Sequence, residues 1–313
     1  MPKLAVVAIG GNSLIKDKNH QTVEDQYNCI FETSQHIVKL IEEGMNVIIT
    51  HGNGPQVGFV LLRSEISKKQ LHEVPIPSAG ADTQGAIGYQ IQQSLGNILK
   101  EKGIKKNVIT IITQVLVDKH DVAFKQPGKP IGPFLTEEDA LMKKKKYGWD
   151  IIEDAGRGFR RVVASPIPIK IIEEDAIENL IRNGFIVIAV GGGGIPVIED
   201  GYGNLIGVSA VIDKDRASAL LARNLKADYL IISTPVKNVY LNYGSEEQKA
   251  ISEMSLQEAK QYCAEGHFKK GSMLPKIESA IDFLENGGKE VIITTPELIA
   301  DAVVGKAGTR IVE

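Results

Sequence analysis

The sequence predicts an α/β protein built on a mainly parallel, open sheet. Short β-branched apolar runs alternate with segments of helical period along most of the chain. The links between them are short, as crossovers on one parallel sheet require. Three of the apolar runs, residues 4–9, 46–50 and 185–190, end in glycine-rich turns. In an open α/β sheet the carboxyl ends of such strands face a single crevice, where ligands bind.

The first run, LAVVAI, has the length and branching of a strand buried on both faces. It meets Gly10 and Gly11, which lack Cβ and let a ligand approach the backbone, and then Asn12 and Ser13. A buried strand feeding such a turn can offer N–H groups to an anion, although a purely structural turn has the same pattern. The strand end carries Ala8 and no lysine or arginine. An anion bound here needs positive charge from elsewhere in the chain.

Residues 21–44 read as a helix with Val23, Tyr27, Ile30, Ser34, Ile37, Val38 and Ile41 on one face, Thr22 at its start and Gly44 at its end. Strand 46–50 leads into HGNGPQVG, where Pro55 suits the first turn of another helix. A helix over 82–103 and a strand over 108–113 follow. Between about 114 and 168 the alternation fails. Pro127, Pro130 and Pro133, the lysine run 143–146 and GRGFRR mark an inserted, protruding subdomain there. The lysine run reads as a solvated face. Alternation resumes with helix 173–184, strand 185–190, helix 215–226 and strand 229–233. After the loop TPVKNVYLN come helices 255–266 and 275–287, strand 290–295 and an edge strand over 309–312.

A net charge of −3 over 313 residues and a pI near 6.1 argue against a protein built to hold nucleic acid or an anionic membrane. Cys29 and Cys263 lie far apart with no CxxC spacing, which suits reduced thiols and not a disulfide or a zinc site. No apolar run approaches the roughly 18 residues of a membrane span. The first run meets GGN where a secretory leader would have its cleavage site. A soluble, cytoplasmic protein is expected.

The common phosphate motifs are missing. GxxxxGK[ST] does not occur, and GNGPQVG is one residue too long for the dinucleotide fingerprint. The protein-kinase elements HRD and DFG are absent, as are HExxH and GxSxG. His51 sits in a glycine turn, where a structural hydrogen bond is sufficient reason for it. Three lysines are placed as if for an anion. Lys214 is flanked by Asp213 and Asp215 at the opening of a helix, although a capped helix with a surface lysine reads the same. Lys276 falls in the first turn of a helix, where a cation is unfavourable without a nearby anion. Lys129, in PGKPIGPF, is held between Gly128 and Pro130 on the insertion.

In order and spacing, AIGGNSL, THGNGPQVG, PGKPIGPF, EDAGRGFRRVVASP, VGGGGIPV, AVIDKDRASALLA and GHFKKGSMLPKIESA resemble the carbamate kinases of the amino-acid-kinase fold family. The resemblance spans nearly the whole chain. It implies a three-layer αβα sandwich with about eight strands and a protruding subdomain at about 114–168. It further implies one domain over 1–313, with an acceptor-binding lobe at about 1–230 and a nucleotide-binding lobe at about 210–313, assembled as a homodimer. The implied reaction is reversible phosphoryl transfer between ATP and carbamate, run toward ATP during arginine breakdown. Donor and acceptor are both anionic, so alignment and charge neutralisation would dominate.

The resemblance assigns Gly10, Gly11, Asn12, Gly52, Asn53, Gly191 and Gly192 to the carbamate and the moving phosphoryl group. Lys129, Lys214 and Lys276 would neutralise charge and Asp215 would orient the lysines. Ser233, Thr234, Val236, Tyr240, Gly271, Met273 and Pro275 would line the nucleotide pocket with Lys214 and Lys276. Mg²⁺ would bind mainly through the nucleotide phosphates, with no protein metal cage. Thr234-Pro235 departs from the acidic or alanine turn commoner at that point. Acetylglutamate, glutamate and aspartate kinases should carry a lysine where this chain has Ala8, and a UMP kinase should lack PGKPIGPF. A non-catalytic nucleotide-binding protein on this fold would be expected to lose one or more of the three lysines and Asp215.

Overall fold

Alternate side chains of the first strand, Leu4–Ile9, enter two different cores, Val6 on one side and Ala5, Val7 and Ile9 on the other. A strand with period-two side chains can do this only at the centre of a sheet covered on both faces. The computed structural model describes residues 2–11, 14–15, 19–153 and 158–313. Asn12 and the first residues of GRGFRR lie outside them.

In chain order the first half holds β1 (Leu4–Ile9), α1 (Val23–Glu42), β2 (Asn46–His51), α2 (Gly54–Ser67), α3 (Ile76–Glu101), β3 (Val108–Thr110), β4 (Gln114–Val117), β5 (Lys129–Leu135), α4 (Glu137–Tyr147), β6 (Asp150–Glu153), β7 (Phe159–Val163) and β8 (Pro168–Ile171). The second half continues with α5 (Glu174–Arg182), β9 (Ile186–Ile188), β10 (Ile195–Glu199), β11 (Leu205–Gly207), α6 (Lys214–Asn224), β12 (Tyr229–Ser233), β13 (Val239–Leu241), β14 (Lys249–Ile251) and β15 (Glu253–Ser255). It ends with α7 (Leu256–Ala264), α8 (Leu274–Glu285), β16 (Glu290–Thr294), α9 (Ile299–Val303) and β17 (Thr309–Val312).

The main sheet has eight strands in the order β15-β17-β16-β12-β1-β2-β9-β3, and only the β16–β17 pair is antiparallel. One core packs α1, α3 and α9 against one face, and the other packs α5, α6, α7 and α8 against the opposite face. This is the expected three-layer αβα sandwich. A second sheet, β11-β10-β4-β8, lies beside it, and β5-β7-β6 form a small antiparallel sheet with α4. The two ends of the expected insert therefore do not belong to that small sheet, since β4 and β8 pair with each other and β4 pairs with β10.

Local chemistry sets most boundaries. The Thr22 hydroxyl accepts from the Asp25 N–H while the Asp25 carboxylate accepts from the Thr22 N–H, a capping box that starts α1. Ser255 and Glu258 repeat the device at α7. Four readings change. The helix expected over 82–103 begins at Ile76, because Pro77 fits its first turn. The strand expected to run to Thr113 ends at Thr110, because the chain there turns toward the second sheet. Residues 309–312 are not an edge strand, because β15 pairs outside them. The lysine run is not wholly solvated, since Lys143 is buried, pairs with Glu65 on α2 and lies 4.8 Å from the Trp149 ring centre.

Candidate active site

The three glycine turns touch one another. A Cβ on Gly191 would collide with the His51 ring, and one on Gly192 with the Asn53 amide. A Cβ on Gly10 would come within 2.8 Å of the Ser233 carbonyl, and one on Gly52 within 3.4 Å of Lys214 Cδ. The last turn is also conformationally demanding. Gly192 has φ +67°, and Val190 beside it is left-handed at φ +54°, a conformation costly for a β-branched residue. Gln84 on α3 holds this turn: its amide donates to the Gly191 and Thr113 carbonyls at 3.0 and 3.1 Å, and its carbonyl accepts from the Thr113 N–H. Asn53 donates to the Thr83 hydroxyl at 2.8 Å. Among the described residues, none comes within 4 Å of a Cβ placed on Gly11.

The lysines gather at the start of α6. Asp213 is its N-cap and accepts from the Asp215 N–H at 2.9 Å. Lys129, on β5, reaches the other Asp213 oxygen at 2.7 Å. Asp215 accepts from Lys214 at 2.6 Å through one oxygen and from Lys276 at 2.9 Å through the other. Asp215 is thus the anion that makes a lysine in the first turn of α8 tolerable. The Lys214 carbonyl accepts from the Ser218 hydroxyl at 2.6 Å, and Ser218 also meets Thr50 on β2 at 2.6 Å. These contacts tie α6 to the second glycine turn.

Burial and charge oppose each other here. Burial favours neutral Asp215, but the charges and hydrogen bonds of Lys214 and Lys276 outweigh it and hold the carboxyl far below the usual range. Asp213 is likewise lowered: burial raises it, and Lys129 overrides that. Burial pushes Lys214 down, partly offset by Asp215 and reinforced by Lys276. His51 is fully enclosed, and burial lowers it to about 4, with a Gly52 carbonyl contact at 2.9 Å opposing. A neutral imidazole on a carbonyl is the structural hydrogen bond anticipated for it. The site thus concentrates cations, glycine-loop amides and a helix N-terminus at the carboxyl ends of β1, β2 and β12, a combination suited to phosphoryl groups.

Of the residues expected for the nucleotide, Ser233 has its carbonyl against Gly10, and Gly271, Met273 and Pro275 lead directly to Lys276. Ser233 ends β12 and Thr234 follows it, both buried, and the Thr234 N–H donates to the Thr294 carbonyl at 2.9 Å. Val236 is half-buried in the next loop. Tyr240 stands on the β13–β14 hairpin, its ring 5.8 Å from Tyr243. Gly271 takes φ +75° ahead of α8, and Met273 and Pro275 lead into its first turn. Thr83 and Gln84 escaped the sequence reading, and Asp213 was read as a flank of Lys214 but not as the partner of Lys129. Asp213 was visible as the first acid of Asp-Lys-Asp, whereas nothing in GADTQGAIG singles out Thr83 or Gln84.

The model of the amino acid kinase family matches residues 3–295, and the chain belongs to that family. Within it, this chain is a carbamate kinase homologue. It is 48% identical over 316 residues to the carbamate kinase-like protein YahI of Escherichia coli (strain K12), covering 100% of both chains. Identity to the carbamate kinase of Staphylococcus haemolyticus (strain JCSC1435) is 49% over 309 residues, covering 98% of each. Among solved structures, carbamate kinase from Giardia lamblia bound to AMP-PNP superposes with a TM-score of 0.93 at 40% identity, covering 99% of this chain and 98% of that one.

Proposed function

We propose that the protein transfers a phosphoryl group reversibly between ATP and carbamate, giving ADP and carbamoyl phosphate. The observation that carries this is Asp215 bridging Lys214 and Lys276 beside three glycine turns, with Lys129 brought to the adjoining Asp213. Carbamate is already an ionised oxygen nucleophile, so no general base is needed. Lys214 and Lys276 neutralise the equatorial and β-phosphate oxygens, and Asp215 sets their positions. Lys129 supplies the cation that Ala8 lacks. Amides of Gly10, Gly11, Gly52, Asn53, Gly191 and Gly192, with Asn12, align acceptor and phosphoryl group. Ser233, Thr234, Val236, Tyr240, Gly271, Met273 and Pro275 receive the adenosine.

The Asp213 and Asp215 carboxylates are occupied by lysines. Among the described residues there is no cluster of three or more His, Cys, Asp or Glu that could hold a metal. Mg²⁺ then enters as part of the nucleotide substrate, held by the phosphates. The cellular role we favour is synthesis of ATP from carbamoyl phosphate in arginine breakdown, by a cytoplasmic homodimer. No described helix is long and apolar enough to cross a membrane. The deciding experiment mixes pure protein with ADP, Mg²⁺ and carbamoyl phosphate and measures ATP. Formation of ATP is expected. Its absence, together with turnover of acetyl phosphate, would move the assignment to another small acid.

A further inference from the structure

A second cavity, of about 610 Å³, lies between α2, the chain leading into α3 and the small antiparallel sheet. That volume falls within the ~300–1,000 Å³ of small-molecule sites. Its lining includes none of Gly10, Gly52, Gly191, Lys214, Asp215 or Lys276, so it is separate from the site above. Leu61, Ile76, Ile131 and Val163 form an apolar floor. Tyr147 and Trp149 stand at the wall, ring centres 6.0 Å apart.

Three cations reach this wall, and two have acidic partners. Lys143 pairs with Glu65, and Lys68 lies 3.8 Å from both the Glu73 carboxylate and the Tyr147 ring centre. The third is Arg161 on β7. Its guanidinium lies 4.4 Å from the Trp149 ring centre and, among the described residues, makes no side-chain hydrogen bond or ion pair. Partial burial lowers its pKa, and the charges of Glu65, Glu73 and Asp150 around the same cavity offset part of that without any of them pairing with it directly. With no hydrogen bond to another described side chain, the guanidinium keeps N–H groups for a planar, two-oxygen acceptor. Glu73 and Asp150 line the same cavity and disfavour a dianion such as phosphate.

We propose that this cavity binds a small organic monocarboxylate with an apolar or aromatic body, its carboxylate on Arg161 and its body against Trp149 and the floor. The site borders the catalytic insert directly, since Ile131 pairs with Arg161 and Lys129 with Val163 across β5 and β7.

Trp149 is the single tryptophan of the chain, so its intrinsic fluorescence reports on this cavity alone. Phenylacetate is titrated into the full-length protein, with neutral 2-phenylethanol as the comparison. A saturable change at millimolar phenylacetate and a much weaker response to the alcohol are expected. Arg161→Gln should weaken phenylacetate binding at least about tenfold, and Arg161→Lys should recover part of the loss. Equal binding by Arg161→Gln, an equal response to the alcohol, or no saturable change in the unmodified protein overturns the proposal. If Arg161→Gln does not fold, the comparison of acid with alcohol on the unmodified protein decides it.

Discussion

Asp215 and Lys276, 61 residues apart in sequence, meet at 2.9 Å between the first turns of two helices. Neither position is comfortable alone. An aspartate buried in the first turn of α6 wants a cation, and a lysine in the first turn of α8 wants an anion. Lys214 completes the triad on the second carboxylate oxygen. Two ammonium groups thus share one carboxylate, an excess of positive charge that favours a further anion beside them.

Lys214→Ala is expected to lower turnover at least ~10²-fold, the scale of losing one preorganised transition-state donor. Steady-state rates with ADP and carbamoyl phosphate test this, alongside circular dichroism to show that the variant folds. Near-normal rates in a folded variant would reject the role given to Lys214.

Asp215→Asn should cost roughly 3–5 kcal/mol of stability, because two lysines then share a buried space with no counter-charge. The folded Asp215 pKa lies below its ordinary 3.8. Its contribution is therefore fully present above the ordinary carboxylate range and fades as pH falls below it. Urea midpoints of the two proteins should differ most near neutrality and converge in acid.

The pH dependence from His51 has the same direction in a different window. Its pKa falls from 6.5 unfolded to about 4 folded. Between these values the unfolded chain holds the proton and the folded protein does not, so stability drops as pH falls from 6.5 toward 4. The full effect is about 3 kcal/mol. His51→Gln should remove this slope, as measured by urea unfolding across that interval.

Gly192→Ala should damage both stability and activity. The added methyl meets the Asn53 amide, and φ +67° is unfavourable for alanine. A stability cost of roughly 1–3 kcal/mol is expected. Because Asn53 must move, turnover should fall further than in Gly11→Ala, where the methyl meets none of the described residues. Equal effects of the two substitutions would refute the argument from packing.

Much of the site could be read from individual residues because their oddness is local. A lysine in a helix's first turn, a lysine wedged between glycine and proline, and glycines after buried strands each violate a local preference, and such violations collect at functional sites. Lys143 misled for the converse reason. A run of lysines is locally ordinary, and nothing near it announces Glu65 or Trp149 across the fold. Gln84 was invisible because a buried glutamine and a solvated one have the same sequence. The short strands β10, β11, β13 and β14 carry too few residues to establish a period.

The sequence by itself determined the α/β alternation, the central parallel strands, the start of the first helix at Thr22 and the identity of the lysines, because these follow from spacing and side-chain chemistry within a few residues. Only the tertiary structure decided which lysine meets which aspartate, that β15 and not β17 ends the sheet, and that Arg161 is half-buried with no ion pair among the described residues. Those outcomes depend on partners tens of residues away. Their energies come from burial and close approach, which exist only once the chain has folded.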